Sequence, residues 1–249
     1  MATEPMVDTA KTIKDRILIA VPYDDMIPGA TYDNHMEFML GLGRKESFLP
    51  FTVGFATVGG VFTPLARERI CEGAIRDKWD YVFMFDSDMT MPSDTLERLY
   101  AHNVDIVAPL AFMRRPPHFP VIFCQRKMVE NGKPYYSNST VKNYPKNRLF
   151  ECDATGFGAV LIKTEVIKRM SPPYFMSTCG SGEDVLFCIN AKNQAGAHVF
   201  VDTSIKLGHL ASRTTLITEE VYENYNPVKA IRETYGEYSN GKKEAHLVV

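Results

Sequence analysis

The sequence predicts an α/β fold, and three observations predict it. Between residues 16 and 112, apolar runs of strand length alternate with segments of helical periodicity. The runs are continuous rather than alternating, as in strands of a sheet covered on both faces. The third run, Tyr81 to Phe85, ends directly on two carboxylates, Asp86 and Asp88. In open α/β sheets ligands sit outside the carboxyl ends of the strands.

Each element has its own signal. Arg16 to Pro22 reads as a first buried strand, and a polar loop leads from it to an apolar-periodic segment around Met36 to Leu42. Phe51 to Val58 is a second strand, closed by Gly59-Gly60. A helix then runs to about Lys78, with Thr63 as N-cap, Pro64 at the first helical position and Leu65, Ile70 and Ala74 facing inward. After the third strand, Pro92-Ser93-Asp94 opens a helix to His102, and Asp105 to Phe112 is a fourth strand. This alternation indicates a parallel, Rossmann-like nucleotide-binding half.

The remainder is less regular. Val121 to Gln125 and Phe150 to Cys152 read as short strands around a Pro/Asn/Tyr-rich loop with an Asn131-Gly132 turn. Ala159 to Lys163 is a strand, Asp184 to Ala195 a helix stopped by Gly196, and His198 to Asp202 a last strand. Thr218-Glu219-Glu220 opens a C-terminal helix with acids in its first turn. No break in composition marks a second domain. The expected organisation is one domain over 1–249, with a nucleotide-binding half at about 16–112, an acceptor-side half at about 113–210 and a helical extension at about 211–249.

With 249 residues and 45% hydrophobic content, the chain can bury a full core. No segment approaches the roughly 20 apolar residues that span a bilayer. The polar start, Met1 to Asp15, has no signal-peptide character, so a cytoplasmic location is expected. The five cysteines (71, 124, 152, 179 and 188) are odd in number and lack any Cys-x-x-Cys, which argues for reduced thiols rather than disulfides or zinc. Net charge is -2 but unevenly spread. Residues 113–148 hold eight basic side chains and one acid, a local +7 that leaves -9 for the rest.

The chemistry concentrates in a few places. If the third strand continues, Asp86 and Asp88 point to one side and can share a hard divalent cation, Mg2+ or Mn2+, that neutralises phosphate. The alternative is a polar turn. Gly182-Glu183-Asp184 stands at a helix start, either as acids suited to the helix dipole or as a general base. Arg67, near the start of its helix, is either a surface arginine or a partner for phosphate. Gly156-Phe157-Gly158 is either a hairpin turn or a close backbone approach. His209 beside Gly208 is either a loop histidine or a metal ligand.

Six features in this order resemble GT-A-fold glycosyltransferases, in particular the family 2-like group and its small viral and bacterial members. They are Val21-Pro22 ending the first strand, Ala66-Arg67, Asp86-Ser87-Asp88, Gly156-Phe157-Gly158, Gly182-Glu183-Asp184 and Gly208-His209. Glu68 departs from the pattern, where related sequences often carry Asn. The resemblance implies a mixed sheet and a nucleotide-sugar donor, UDP-linked for preference, held with Mn2+ or Mg2+. It makes Asp88 and His209 direct metal ligands and places Asp86 nearer the ribose or a metal water. Donor contacts are expected from Pro22, Tyr23, Asp25, Arg67, Asp86, Ser87 and Gly158. Asp184 is implied as the base of an inverting transfer, with Glu183 beside it.

The basic segment also carries His118, Phe119, Tyr135, Tyr136 and Tyr144. Basic and aromatic residues together suit nucleic acid. The expected acceptor is therefore a polyanion, a nucleic acid with a modified base bearing a hydroxyl, as for a DNA-modifying enzyme of viral type. A solvated loop is the alternative, with a small sugar, a lipid or a protein as the acceptor instead. Two rival activities stand beside this one. Asp86-Ser87-Asp88-Met89-Thr90 also resembles the Asp-x-Asp-x-Thr of haloacid-dehalogenase-like phosphatases, although their motif ends the first strand rather than the third. Sugar nucleotidyltransferases carry a Gly-rich, Arg-containing loop after the first strand, which Tyr23-Asp24-Asp25-Met26 is not.

Overall fold

The computed structural model describes residues 14–130, 133–178, 181–212 and 215–225. Strands β1 (Asp15–Pro22), β2 (Phe51–Val58) and β3 (Tyr81–Phe85) alternate with helices α1 (Gly29–Lys45) and α2 (Thr63–Arg76). A short β4 (Met89–Thr90), α3 (Thr95–Ala101) and β5 (Ile106–Leu110) follow. The second half comprises β6 (Ile122–Glu130), β7 (Lys133–Thr140), β8 (Leu149–Cys152), β9 (Ala154–Thr155), β10 (Ala159–Lys163), α4 (Thr164–Lys168) and α5 (Glu183–Ala195). It closes with β11 (Val199–Lys206), β12 (Gly208–Ser212), β13 (Thr215–Ile217) and α6 (Glu219–Glu223).

The main sheet is mixed and has seven strands in the order β2-β1-β3-β10-β5-β11-β8. β1 runs parallel to β2 and β3, β10 is inserted antiparallel between β3 and β5, and β11 is parallel to β5. This is the α/β architecture that the alternation predicted, with the mixed sheet that the resemblance implied. The parallel order is interrupted, because β10 separates β3 from β5.

Side-chain alternation along the strands divides the core into two layers. Ile17, Ile19 and Val21 of β1 and Phe83 and Phe85 of β3 pack with Phe38, Leu42, Leu96 and Leu99 of α1 and α3. Leu18, Ala20, Val82 and Met84 pack on the other face with Ile70, Ala74, Phe187 and Cys188 of α2 and α5. A strand apolar at every position is what two covered faces require.

Several expectations are corrected. α2 is capped by Phe62, so Thr63 and Pro64 are its first two residues. Its inner face is Ala66, Ile70 and Ala74, spaced by four, and Leu65, one residue out of register, is 44% exposed. The Pro/Asn/Tyr-rich stretch expected as a loop is half of a β6–β7 hairpin, paired from Phe123↔Thr140 to Glu130↔Lys133. The Asn131-Gly132 turn lies outside the described residues. β11 extends to Lys206 and is not the last strand, since β12 and β13 join β4 in a second, three-stranded sheet. α6 is short and is held by ion pairs from Lys146 to Glu219 and Glu223 and from Lys206 to Glu219. The chain beyond Tyr225 lies outside the described residues.

Cys71 and Cys188 are buried, Cys124 and Cys152 half-buried, and all four are free thiols, while Cys179 lies outside the described residues. Trp79 packs at the sheet edge, its ring under the Arg16 guanidinium and against Gly54. Among the described residues, no helix is long and apolar enough to cross a membrane.

Candidate functional site

The site forms where β3 ends. Asp86 donates its backbone N–H to Gly158 O at 3.0 Å, and Met89 N–H closes the turn on Asp86 O at 3.1 Å. The two carboxylates therefore stand on a tight turn and not on a continued strand, which corrects the alternation argument for their shared side. α1 anchors the turn from beneath. Thr31 Oγ1 donates to Ser87 O at 2.6 Å, His35 bonds Met89 O at 2.7 Å, and Asn34 Nδ2 donates to Met91 O at 3.0 Å. Ser87 thus contributes its carbonyl to the fold of the turn.

Arg67 is not the surface arginine that its helix position allowed. It is 3% exposed and forks between two acids, with Nη2 on Asp86 Oδ1 and Nη1 on Glu183 Oε1, both at 2.7 Å. A third contact runs from Nη2 to Phe157 O at 3.3 Å. Its Nε is buried with no hydrogen-bond partner. Glu68, the departure from the family pattern, accepts the backbone N–H groups of Tyr174 and Phe175. It ties α2 to the loop before α5 and leaves the guanidinium of Arg67 unaffected.

The small sheet brings in the far end of the chain. β12 pairs antiparallel with β4, setting His209 opposite Met89, one residue from Asp88. His209 Nε2 lies 3.4 Å from Asp88 Oδ2, and its Nδ1 hydrogen-bonds Phe112 O at 2.8 Å. A carbonyl only accepts, so Nδ1 carries the proton and Nε2 is the nitrogen presented to Asp88. Arg114, 52% exposed, reaches the same Asp88 Oδ2 at 3.2 Å. The sequence reading assigned Arg114 to acceptor binding alone, and its contact with Asp88 corrects that. Gly208 is needed beneath this arrangement, since a Cβ there would lie 2.5 Å from Thr90 Oγ1.

The charges are tuned against one another. Burial raises the Asp86 carboxyl above its ordinary range, with neighbouring Asp88 adding to it, against the pull of Arg67. Burial is also the largest influence on Asp88, but His209 and Arg114 outweigh it and hold Asp88 low. His209 is desolvated, yet Asp88 and the Phe112 carbonyl carry its pKa upward. Burial raises Asp184, with Glu183 reinforcing and Arg67 opposing. Among the described residues, no three His, Cys, Asp or Glu stand together as a preformed metal cluster. The reason is visible in the pairing, since Asp86 Oδ1 is drawn to Arg67 while Asp88 Oδ2 faces His209.

A cavity of about 270 Å³ is lined by Arg67, Asp86, Glu183, Asp184 and His209, with Phe157 and Gly158 in its wall. The Gly-Phe-Gly segment is a close approach rather than a free turn. A Cβ at Gly158 would lie 2.9 Å from Met89 Cε, and one at Gly156 would lie 2.9 Å from Val121 Cβ. Asp184, in the first turn of α5, accepts Val185 N–H on Oδ1 at 2.7 Å. It also borders a second cavity of about 270 Å³ with Val121, Phe123, Asn138 and Ser181. The carboxylate stands in a wall common to both spaces.

Pro22, Tyr23 and Asp25 do not line either cavity. The loop after β1 is instead bound to the loop after β2, with Tyr23 N–H on Val58 O and Gly60 N–H on Asp24 O. The Tyr23 ring lies over Gly59, where a Cβ would come within 2.2 Å of it. Sequence reading missed Thr31, Asn34, His35, Asn138 and Ser181. The first three had a signal in their polar i, i+3, i+4 spacing on α1. The others acquire their neighbours only through tertiary structure.

No protein-family model and no curated protein matches the chain. Among solved structures, it is similar to A197 from STIV, with a TM-score of 0.56 and 15% identity over 82% of this chain and 91% of that one. It is also similar to the catalytic domain of Drosophila β1,4-galactosyltransferase 7 in complex with xylobiose, with a TM-score of 0.45 and 15% identity over 86% of this chain and 81% of that one. UDP-glucose pyrophosphorylase complexed with UDP-glucose gives a TM-score of 0.42 and 8% identity over 88% of this chain and 100% of that one. At 15% identity the likeness to A197 is one of fold.

Proposed function

We propose that the protein is a metal-dependent glycosyltransferase that moves a sugar from a nucleotide diphosphate donor, UDP-linked for preference, to an acceptor hydroxyl. One observation carries the reading. A single cavity is lined by Asp86, Arg67, His209 and Asp184 together, and Asp184 also lines a second cavity. The donor types fit a hard divalent cation, because the Asp88 carboxylate lies 3.4 Å from an imidazole whose Nδ1 is fixed by a backbone carbonyl, the usual support of a metal-binding histidine. Asp88 and His209 would hold Mn2+ or Mg2+, with Asp86 beside them. The cation would supply positive charge to the diphosphate. Arg114, exposed and in contact with Asp88, would be free to turn to the leaving diphosphate when the metal is bound.

Arg67 sets the geometry of both halves of the site, since it holds Asp86 and Glu183 at once. Its unpartnered Nε suits an acceptor oxygen from a bound ligand. Asp184 takes the proton from the acceptor hydroxyl as that oxygen bonds the anomeric carbon. The bond from that carbon to the diphosphate breaks, and its electron pair leaves on the diphosphate. A desolvated carboxylate is the stronger base, which fits the raised pKa of Asp184. Nucleoside contacts fall to the end of β1, at Pro22, Tyr23 and Asp25. The acceptor is a nucleic acid with a hydroxyl-bearing modified base. Of the basic segment, Lys146 serves α6, Lys142 lies over Phe119 and Arg114 meets Asp88, which leaves exposed Arg115, Arg126, Lys127 and Arg148 for an anionic partner.

The phosphatase alternative is separated by product. With UDP-sugars, Mn2+ and a hydroxymethylated oligonucleotide, the protein should release UDP and transfer the sugar. It should leave p-nitrophenyl phosphate intact. Metal-dependent phosphate release from that ester, abolished in Asp86→Asn, would overturn the transferase reading.

A further inference from the structure

The β6–β7 hairpin connects the acceptor side of the site to the outer surface. Paired residues share a face, and alternate pairs share it along the ribbon. Phe123↔Thr140, Gln125↔Asn138 and Lys127↔Tyr136 therefore lie on one face. Phe123 and Asn138, at the foot of that face, line the second cavity beside Asp184. Lys127 and Tyr136, further out on the same face, are exposed, Tyr136 by 65%. The opposite face carries Arg126↔Ser137 and Met128↔Tyr135. One face of the ribbon is thus continuous with the cavity, and it presents an aromatic ring and a cation outside it.

The cavity indicates what enters. At about 270 Å³ it is smaller than the roughly 300–1,000 Å³ pockets that hold drug-sized ligands, so it admits a single ring. Met113, Val121, Phe123 and Val185 supply apolar walls, and polar groups come from the Asn138–Ser181 hydrogen bond (2.9 Å) and Asp184. A saccharide ring carries hydroxyls around its whole perimeter, and apolar walls would leave several unsatisfied. A heterocyclic base has apolar faces and polar atoms only at its edge, which matches this lining. A base held in a duplex is stacked and cannot enter. The ribbon strands carry Arg126, Lys127 and Lys133 against one acid, Glu130, a positive balance complementary to a phosphate backbone running along them.

We infer that this face of the β6–β7 hairpin is a platform for a single nucleic-acid strand, with Tyr136 stacking one base, Lys127 pairing with its phosphate, and a neighbouring unpaired base entering the cavity at Asn138 and Asp184. This rests on the proposed transfer only for the chemistry done to the base, because binding to the platform is measurable without a donor.

The test is fluorescence anisotropy of a labelled single-stranded oligonucleotide across a salt series, with a duplex of the same sequence and the acidic polysaccharide heparin as comparators. Tyr136→Ala should raise Kd by roughly 5- to 100-fold, the scale of base–aromatic stacking, and Tyr136→Phe should restore binding. Lys127→Ala should weaken binding and lower the salt slope by about one. Tyr135→Ala, on the opposite face, should leave Kd unchanged. Equal affinity for duplex and single strand, or equal loss in Tyr135→Ala and Tyr136→Ala, overturns the platform, as does tighter Tyr136-dependent binding of heparin. Calorimetry of a UDP-sugar with Mn2+ runs alongside on wild type and Tyr136→Ala. Absent donor binding in wild type contradicts the proposed transferase and leaves the oligonucleotide result readable by itself.

Discussion

Asp184→Asn will slow sugar transfer by about 100-fold or more while donor affinity and the folded state persist. The scale is that of losing a positioned general base. The substitution is nearly isosteric, and the amide oxygen can still accept the Val185 N–H that Oδ1 accepts now. Removing a buried carboxylate does not leave an orphaned charge, so no large loss of stability follows. The pH profile adds an independent sign. Burial holds the Asp184 pKa above the ordinary aspartate range, and the base acts only when deprotonated. In wild type, kcat should therefore fall toward acid, with its midpoint above the usual aspartate value of about 3.9. In the variant that limb should vanish from the residual rate. Unchanged turnover would remove Asp184 from the chemistry.

Arg67→Met will be the most damaging single change to the fold near the site. Removing one partner of a buried ion pair costs about 3–5 kcal/mol. Asp86 and Glu183 retain side-chain exposures of 31% and 21%, so water relieves part of this. The lower end, about 3 kcal/mol, is expected, equivalent to a fall in Tm of roughly 6–12 °C for a chain of this size. The loss arises from two carboxylates deprived of their shared cation. Adding Glu183→Gln to Arg67→Met should therefore recover part of the stability, a coupling that a double-mutant cycle in urea would measure. A Tm within about 1 °C of wild type, or strictly additive effects, would show that the fork from Arg67 is dispensable.

The readable part of the fold was the part made of continuous apolar strands. β1, β3 and β10 were legible to within a residue because burial on both faces demands apolar side chains at nearly every position, while the edge strand β2, in which only Phe51 is buried, was legible by its aromatic and β-branched run closed by Gly59-Gly60. The β6–β7 hairpin was legible only at the foot of β6, expected as a strand over Val121 to Gln125. Its outer half is exposed on both faces, so Arg126, Lys127, Tyr135 and Tyr136 show no pattern that distinguishes strand from loop. The small sheet was missed because β4 has two residues and β13 three, too few to show a period. Among the site residues, Asp86, Asp88 and Asp184 could be singled out because each stands at the end of a legible element, and His209 through its Gly208-His209 pair. Their pairing could not. That Arg67 reaches Glu183 across 116 residues while holding Asp86, or that Arg114 reaches Asp88, follows from the crossing of α2, α5 and the small sheet. The cavity beyond Asp184 depends on the missed hairpin, so it had no local signature at all.

The most direct measurement is calorimetric titration of a UDP-sugar into wild-type protein and into Asp88→Ala, each with Mn2+ and with chelator. The account predicts binding by wild type that requires Mn2+, and no Mn2+-dependent binding by Asp88→Ala, because His209 and Asp86 alone do not retain the cation against the diphosphate. Binding by Asp88→Ala as tight as that of wild type in Mn2+, or wild-type binding unaffected by chelator, would contradict it.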